Sequence, residues 1–170
     1  MWKMWHRKRW TVGEKVMTTE AELQTQVADY IKLKYPDVLF HSDFGSGIKL
    51  TLGQARKQKR QNGGRRGWPD MFIAEHCLLE ITEREPFTNI NYQSQAITLN
   101  GDIAWYAHGL FLELKKDGTR LKKKNGEWSS PHIAEQAKIL DQLRGRGYAA
   151  EFAVGFDEAK KIIDEYLGDK

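Results

Sequence analysis

Asp70, Glu113 and Lys115 are the residues whose types and spacing could carry chemistry. The run Gly109-Leu-Phe-Leu-Glu-Leu-Lys115 reads as a strand. Its period of two puts Leu110, Leu112 and Leu114 on one face and Phe111, Glu113 and Lys115 on the other. Asp70 stands at the mouth of a second apolar run, Met71 to Ala74, which reads as a buried strand. Two carboxylates converging from neighbouring strands repel each other. They are tolerated best around a hard divalent cation, which takes oxygen ligands and leaves room for phosphate oxygens. A lysine two residues beyond Glu113 points into the same space, where it can orient or activate an attacking water or offset the charge that builds on a phosphate.

The elements around these residues follow from caps and periodicity. Thr19 with Glu22 three residues later is a capping box, and it opens a helix that ends near Tyr35, before Pro36. Leu23, Val27, Tyr30, Ile31 and Lys34 share one face of it. Glu20 and Gln24 fall on the edges of that face, whereas Glu22 points away and is explained by capping. A carboxylate at Glu20 therefore needs a cation or a hydrogen-bonding partner, unless it serves as a second acid favoured by the helix dipole. Val38 to Ser42 reads as a short strand. Thr51 and Gln54 make a second capping box for a polar helix, Leu52 to Gln61, followed by a basic Gly-rich loop. Residues 75–108 show a weaker pattern and read as an insertion or hairpin, with a strand from Cys77 to Ile81. After the Glu113 strand, Asp117-Gly118 turns into a lysine-rich loop or hairpin. A third helix starts with Ser130 as N-cap and Pro131 in its first position, and Gly145 and Gly147 stop it. Gln136 lies on its apolar stripe of Ile133, Ala137, Leu140 and Leu143, aimed at the site or bonded to a backbone carbonyl. A strand from Tyr148 to Val154 and a helix capped by Asp157 complete the chain.

The 170 residues suit one domain of ordinary size. Hydrophobic residues at 40% exclude a disordered chain, and no apolar run approaches the roughly 20 residues of a membrane span. The single Cys77 excludes a disulfide framework and a Cys-rich zinc site; His6, His76 and His108 have no partner spacing that suggests a metal, and His41 and His132 read as ordinary polar residues that could lie near phosphate. With no apolar signal segment near Met1, the expected location is the cytoplasm. Net charge is only +4, but residues 1–70 carry +7, 71–110 carry −4 and 111–147 carry +4. Arg56, Lys57, Lys59, Arg60, Arg65 and Arg66, with Lys122, Lys123 and Lys124, could flank a site and neutralise phosphates, or form solvated faces. Residues 1–17 form a basic arm with Trp2, Trp5 and Trp10, suited to stacking on nucleic acid or simply frayed.

Taken together, Trp68-Pro-Asp70 and Glu113-Leu-Lys115 resemble the Pro-Asp and Glu-x-Lys elements of the PD-(D/E)xK nuclease superfamily. Glu20-Ala-Glu-Leu-Gln24, Gly67-Trp-Pro-Asp70, Gly109 to Lys115, Glu135-Gln136 and Gly147-Tyr148 through Ala159 are similar to its VRR-NUC branch. The likeness covers residues 18–167. It implies an α/β restriction endonuclease-like core: a central mixed sheet of about four or five strands, with the first and third helices on its faces. It also implies that Asp70, Glu113 and the Leu114 carbonyl hold Mg²⁺ or Mn²⁺, that Lys115 supports the attacking water, and that Glu20 and Gln136 assist, Glu20 as a possible further ligand. The activity implied is a metal-dependent endonuclease of branched DNA, a Holliday junction or a flap, working as a homodimer. A flap or single-strand exonuclease would use the same site, whereas a non-catalytic DNA-binding module would need the basic stretches but not Asp70, Glu113 and Lys115 all intact. One departure is the stretch of 38 residues between Asp70 and Gly109. It leaves open whether Asp70 and Glu113 lie on adjacent strands, and it brings Glu80 and Glu83 forward as alternative carboxylates.

Overall fold

The computed structural model describes residues 19–43, 51–61, 67–80, 96–99 and 102–168. The basic N-terminal arm, the loop with Arg65 and Arg66, and Glu83 lie outside them. Helix α1 (Glu20–Lys34) forms where the capping box calls for it. The Thr19 hydroxyl accepts from the Glu22 backbone N–H, and the Glu22 carboxylate accepts in return from the Thr19 N–H at 2.9 Å. Leu23, Val27 and Ile31 are buried on one side, each stabilising the packed state by about 1.5–3 kcal/mol. Then follow β1 (Phe40–Ser42), α2 (Leu52–Gln61), β2 (Met71–Ile73), β3 (Cys77–Glu80), β4 (Ala96–Leu99), β5 (Asp102–Ala107) and β6 (Leu110–Lys115). The chain closes with α3 (Pro131–Arg144), β7 (Ala149–Val154) and α4 (Phe156–Leu167).

Four strands form the main sheet in the order β1-β2-β6-β7. The β1/β2 and β2/β6 pairs are antiparallel, and β7 returns parallel to β6 through the α3 crossover, so the sheet is mixed. One face carries α1 and α4 over Leu110, Leu112, Leu114, Met71 and Ile73. The opposite face carries α3, whose Ile133, Ala137, Leu140 and Leu143 pack on Ala150 and Phe152 of β7. Asp164 on α4 ties the two helices of the first face together, accepting from the hydroxyls of Tyr30 and Tyr35 and pairing with Lys34 at 3.0 Å. The α/β architecture, its mixed four-stranded sheet and the placement of the first and third helices match the expectation.

The stretch 75–108, expected as an insertion or hairpin, has more regular structure among its described residues than the sequence pattern conveys. It holds a three-stranded antiparallel sheet, β3-β5-β4, with β5 and β4 in stretches that sequence patterning leaves unassigned. Cys77 of β3 faces Ala107 of β5, just beyond the point where Ile73 of β2 faces Leu110 of β6. The insertion therefore prolongs the β2/β6 pairing instead of separating the two strands. Several boundaries also move: β2 ends at Ile73 and not at Ala74, and β6 begins at Leu110 and not at Gly109. The first strand begins at Phe40 and not at Val38, and the last begins at Ala149. Asp157 does not cap the last helix: Gly155 is its N-cap, without a side-chain cap bond, and Asp157 sits in the first turn, where its charge suits the helix dipole.

Candidate active site

The register of β2 against β6 decides which side chains meet. Phe72 faces Phe111 and Met71 faces Leu112, so the next step along the ladder brings Asp70 opposite Glu113. Sequence spacing leaves that adjacency open, and the prolonged hairpin supplies it. Glu80, by contrast, belongs to the second sheet, where it faces Ala104, away from this row.

Glu113 and Lys115 share a face of β6 and are nearly sealed from solvent, at 2% and 5% exposure. The Lys115 ammonium donates to Glu113 Oε1 at 2.7 Å and lies 3.8 Å from Glu20 Oε1. The Gln136 amide, reaching down from α3, donates to that same Glu113 oxygen. Glu113 Oε2 and Gln136 Oε1 are buried with no hydrogen-bond partner. Asp70 Oδ2 accepts from the Leu114 N–H at 2.8 Å, which fixes the carboxylate at the end of β6. Burial, followed by the nearby Asp70 charge, pushes the Glu113 carboxyl up to about 8, against the pull of Lys115. Burial likewise raises Asp70, with the Leu114 N–H and Lys115 opposing. Two carboxylates held close, both biased toward their protonated forms and one with an oxygen unpartnered, make a place where positive charge is under-supplied.

The sequence-expected residues thus come together: Asp70, Glu113, Lys115 and Gln136 in direct contact or adjacent register, and Glu20 at the rim with its side chain 45% exposed. Glu20 does meet a cation, but it is more open to solvent than its place beside the apolar stripe suggests. Gln136 bonds to Glu113 and not to a backbone carbonyl. The residues fit a hard divalent cation. The Lys115 carbonyl accepts from Gly155 N–H on the β7 side at 2.8 Å, and strand alternation turns the Leu114 carbonyl to the other edge, toward Asp70. With Glu113 Oε2 and Asp70 this gives an all-oxygen donor set. No three His, Cys, Asp or Glu side chains form a ligand cluster among the described residues, so backbone and water would complete the shell.

One supporting residue is absent from the sequence candidates. Gln24 is buried, and its amide donates to the backbone carbonyls of Asp43, at 2.8 Å, and Asp70, at 3.1 Å. It clamps the end of β1 and the start of β2 onto α1. Its place at the edge of the helix's apolar stripe is the signal that points to it. Gly67 has a similar effect from the other side. Its φ of +78° and its close approach, with an added Cβ 3.3 Å from Gln136 Cγ, exclude a larger residue where the chain enters β2.

The basic residues are placed less tightly. Arg56, Lys57 and Arg60 are exposed on α2 and, with Gly53 and Gln61, line a groove of about 550 Å³ that does not include the carboxylates. Lys59 lies in the same helix. Lys122 and Lys124 are exposed on the turn after β6, the first with its ammonium 5.0 Å from the Trp128 ring centroid, whereas Lys123 pairs with Glu127 at 3.3 Å.

No family model matches the chain. No curated protein matches it either. A solved structure described as a VRR_NUC domain protein shares the fold, with a TM-score of 0.52, 24% identity and 88% of each chain covered.

Proposed function

We propose that this protein is a nuclease that hydrolyses phosphodiester bonds in DNA with the help of Mg²⁺ or Mn²⁺. The observation that carries the reading is the Asp70/Glu113 pair on adjacent strands, with Glu113 Oε2 buried and unpartnered beside Lys115. The shared fold with a VRR_NUC domain protein supports it. Residues 18–167 form the nuclease unit, with 75–108 inserted into it and 1–17 as a basic arm.

Asp70, Glu113 and the Leu114 carbonyl would hold the cation, and Glu20 could add a ligand from the rim. A divalent ion bound there supplies positive charge to the phosphate oxygens as they gain negative charge. Lys115 has three N–H donors and gives one to Glu113, which fixes its ammonium where an incoming water can be held in line with the phosphorus. Water attack forms the new P–O bond as the bond to the leaving sugar oxygen breaks; the proton given up by the attacking water passes to solvent, and the departing oxygen takes one from solvent. Gln136 fixes one Glu113 oxygen and so leaves the other for the cation. Arg56, Lys57, Lys59, Arg60, Arg65, Arg66, Lys122, Lys123 and Lys124 hold the flanking phosphates. The substrate is branched DNA, a Holliday junction or flap, and a homodimer would set two sites on opposite strands. The protein acts in the cytoplasm. No helix among the described residues is long and apolar enough to cross a membrane.

The test is cleavage of labelled four-way junction, flap, duplex and single-stranded DNA with Mg²⁺, Mn²⁺ or EDTA. Asp70→Ala and Lys115→Ala are expected to abolish cutting while DNA binding persists. Symmetric junction incision identifies a resolvase, and stepwise shortening of flap or single strand identifies an exonuclease. Tight binding with no cutting of any substrate overturns the reading in favour of a binding module.

A further inference from the structure

The carboxylate row has an aromatic neighbour. Alternation along the strands puts Phe72, and Asp70 at the entry to β2, on the same side as Phe111, Glu113 and Lys115 of β6, and Trp68, in the irregular chain before β2, lies beside Phe111 on that side. The Phe72/Phe111 pair is therefore the next row of that sheet face, roughly 6–7 Å along the strands from Asp70 and Glu113. The two rings are stacked with centroids 4.5 Å apart, and Trp68 lies 6.4 Å from Phe111. Phe72 lies low against the backbone because residue 109 is glycine: a Cβ there would come within 2.6 Å of the Phe72 ring. Helix α3 packs on β7 of this face and Phe111 lies against the margin of that cluster, so Phe111 and Phe72 are half-buried, while Trp68 is 41% exposed. From Phe111 the rings continue away from the carboxylates through Tyr148, at 5.2 Å, then His108 and Tyr106.

Paired bases are already stacked inside a duplex, which offers a protein surface its phosphates and groove edges. Ring faces are of use to bases that are splayed out. We infer that Trp68, Phe72 and Phe111 form a stacking surface for unpaired bases next to the bond being cut, so that the site takes DNA with a single-stranded segment and not continuous duplex. The inference rests on the nuclease reading and narrows it. It is also continuous with the candidate site, since a phosphate at the carboxylates leaves the adjoining base within reach of the rings.

Binding in EDTA tests it without turnover, using a labelled single strand, a splayed duplex with one unpaired arm, and a blunt duplex of equal length. Trp68→Ala is expected to weaken binding of the first two about tenfold and of the blunt duplex less than about twofold. Trp68→Phe, which keeps a ring, is expected to restore most of the loss. In the wild type, 2-aminopurine placed beside the cleaved bond should be quenched, and Trp68→Ala should relieve the quenching. Equal weakening on all three DNAs, or none on the single strand, overturns the inference. Cutting that persists with no Trp68 effect removes only this inference. Ring-dependent binding by a protein that never cuts removes only the nuclease reading.

Discussion

Glu113 concentrates the electrostatics of the site. Its carboxyl is held up to about 8 by burial and by Asp70, whereas in the unfolded chain it titrates near the ordinary 4.5. Between those values the folded state keeps a proton that the unfolded state has released. In the metal-free protein this group therefore lowers stability as pH rises from about 4.5 toward 8, and the loss is complete above the folded value. Glu113→Gln cannot ionise. In EDTA it should match the wild type near pH 5 and exceed it at pH 8.5 by up to a few kcal/mol, roughly the scale of a multi-unit shift partly offset by Lys115. Urea unfolding midpoints at the two pH values check this, and parallel pH profiles for the two proteins would place the effect elsewhere. Mg²⁺ should restore the wild type at pH 8.5 and leave Glu113→Gln nearly unchanged, because the buried oxygens it would neutralise are then an amide.

Two contacts between elements hold the geometry. Gln24 joins α1 to the chain at Asp43 and Asp70, so Gln24→Ala leaves a carbonyl short of a donor and frees the start of β2. A loss of about 1–3 kcal/mol in urea unfolding is expected, together with weaker Mg²⁺ binding by calorimetry, because the amide holds the backbone carbonyl of Asp70, whose carboxylate is a candidate ligand. Unchanged metal affinity would reduce Gln24 to a structural tie. Gly109 makes the opposite case. A methyl group there would meet both the Phe72 ring and, at 2.8 Å, the Ile73 carbonyl, which is backbone and cannot swing aside. Gly109→Ala should therefore cost about 1–3 kcal/mol, read as a lowered thermal midpoint. The α1 capping box, the Ser130 cap and the Thr51/Gln54 box are all legible in the sequence, because a cap is a bond between residues three apart in the chain. The β4 and β5 strands are not: β4 falls in the largely polar stretch Thr88 to Asn100, β5 in the weakly patterned residues after it, and their pairing is non-local.

For the whole molecule, the unevenness of charge matters more than its sum. If α2 and the turn after β6 clasp phosphates, log Kd for DNA should change steeply with log salt concentration. Arg56→Gln with Arg60→Gln should then reduce the slope by about 1.4–1.8, for single strands and duplex respectively. A titration series from low to moderate salt with a fixed oligonucleotide checks it, and an unchanged slope would leave the α2 groove out of the interface. The helices on the two faces of the sheet hold the carboxylate row between α1 and α3, so the site is a property of both layers. Glu20 and Gln136 approach Lys115 and Glu113 from those opposite sides of the chain fold.

From its sequence alone the protein declares the residue types of its chemistry, the faces on which they lie, and the helix starts that frame them. Those features depend on periodicity and on bonds within one or two turns, where local sterics suffice. Tertiary structure decides that Asp70 faces Glu113 across a prolonged hairpin, that Gln136 takes one Glu113 oxygen and leaves the other unpartnered, and that Gln24 locks the strand entrance. Each of these joins residues at least 23 apart in the chain. Their meeting is fixed by strand register and layer packing, which no local pattern encodes.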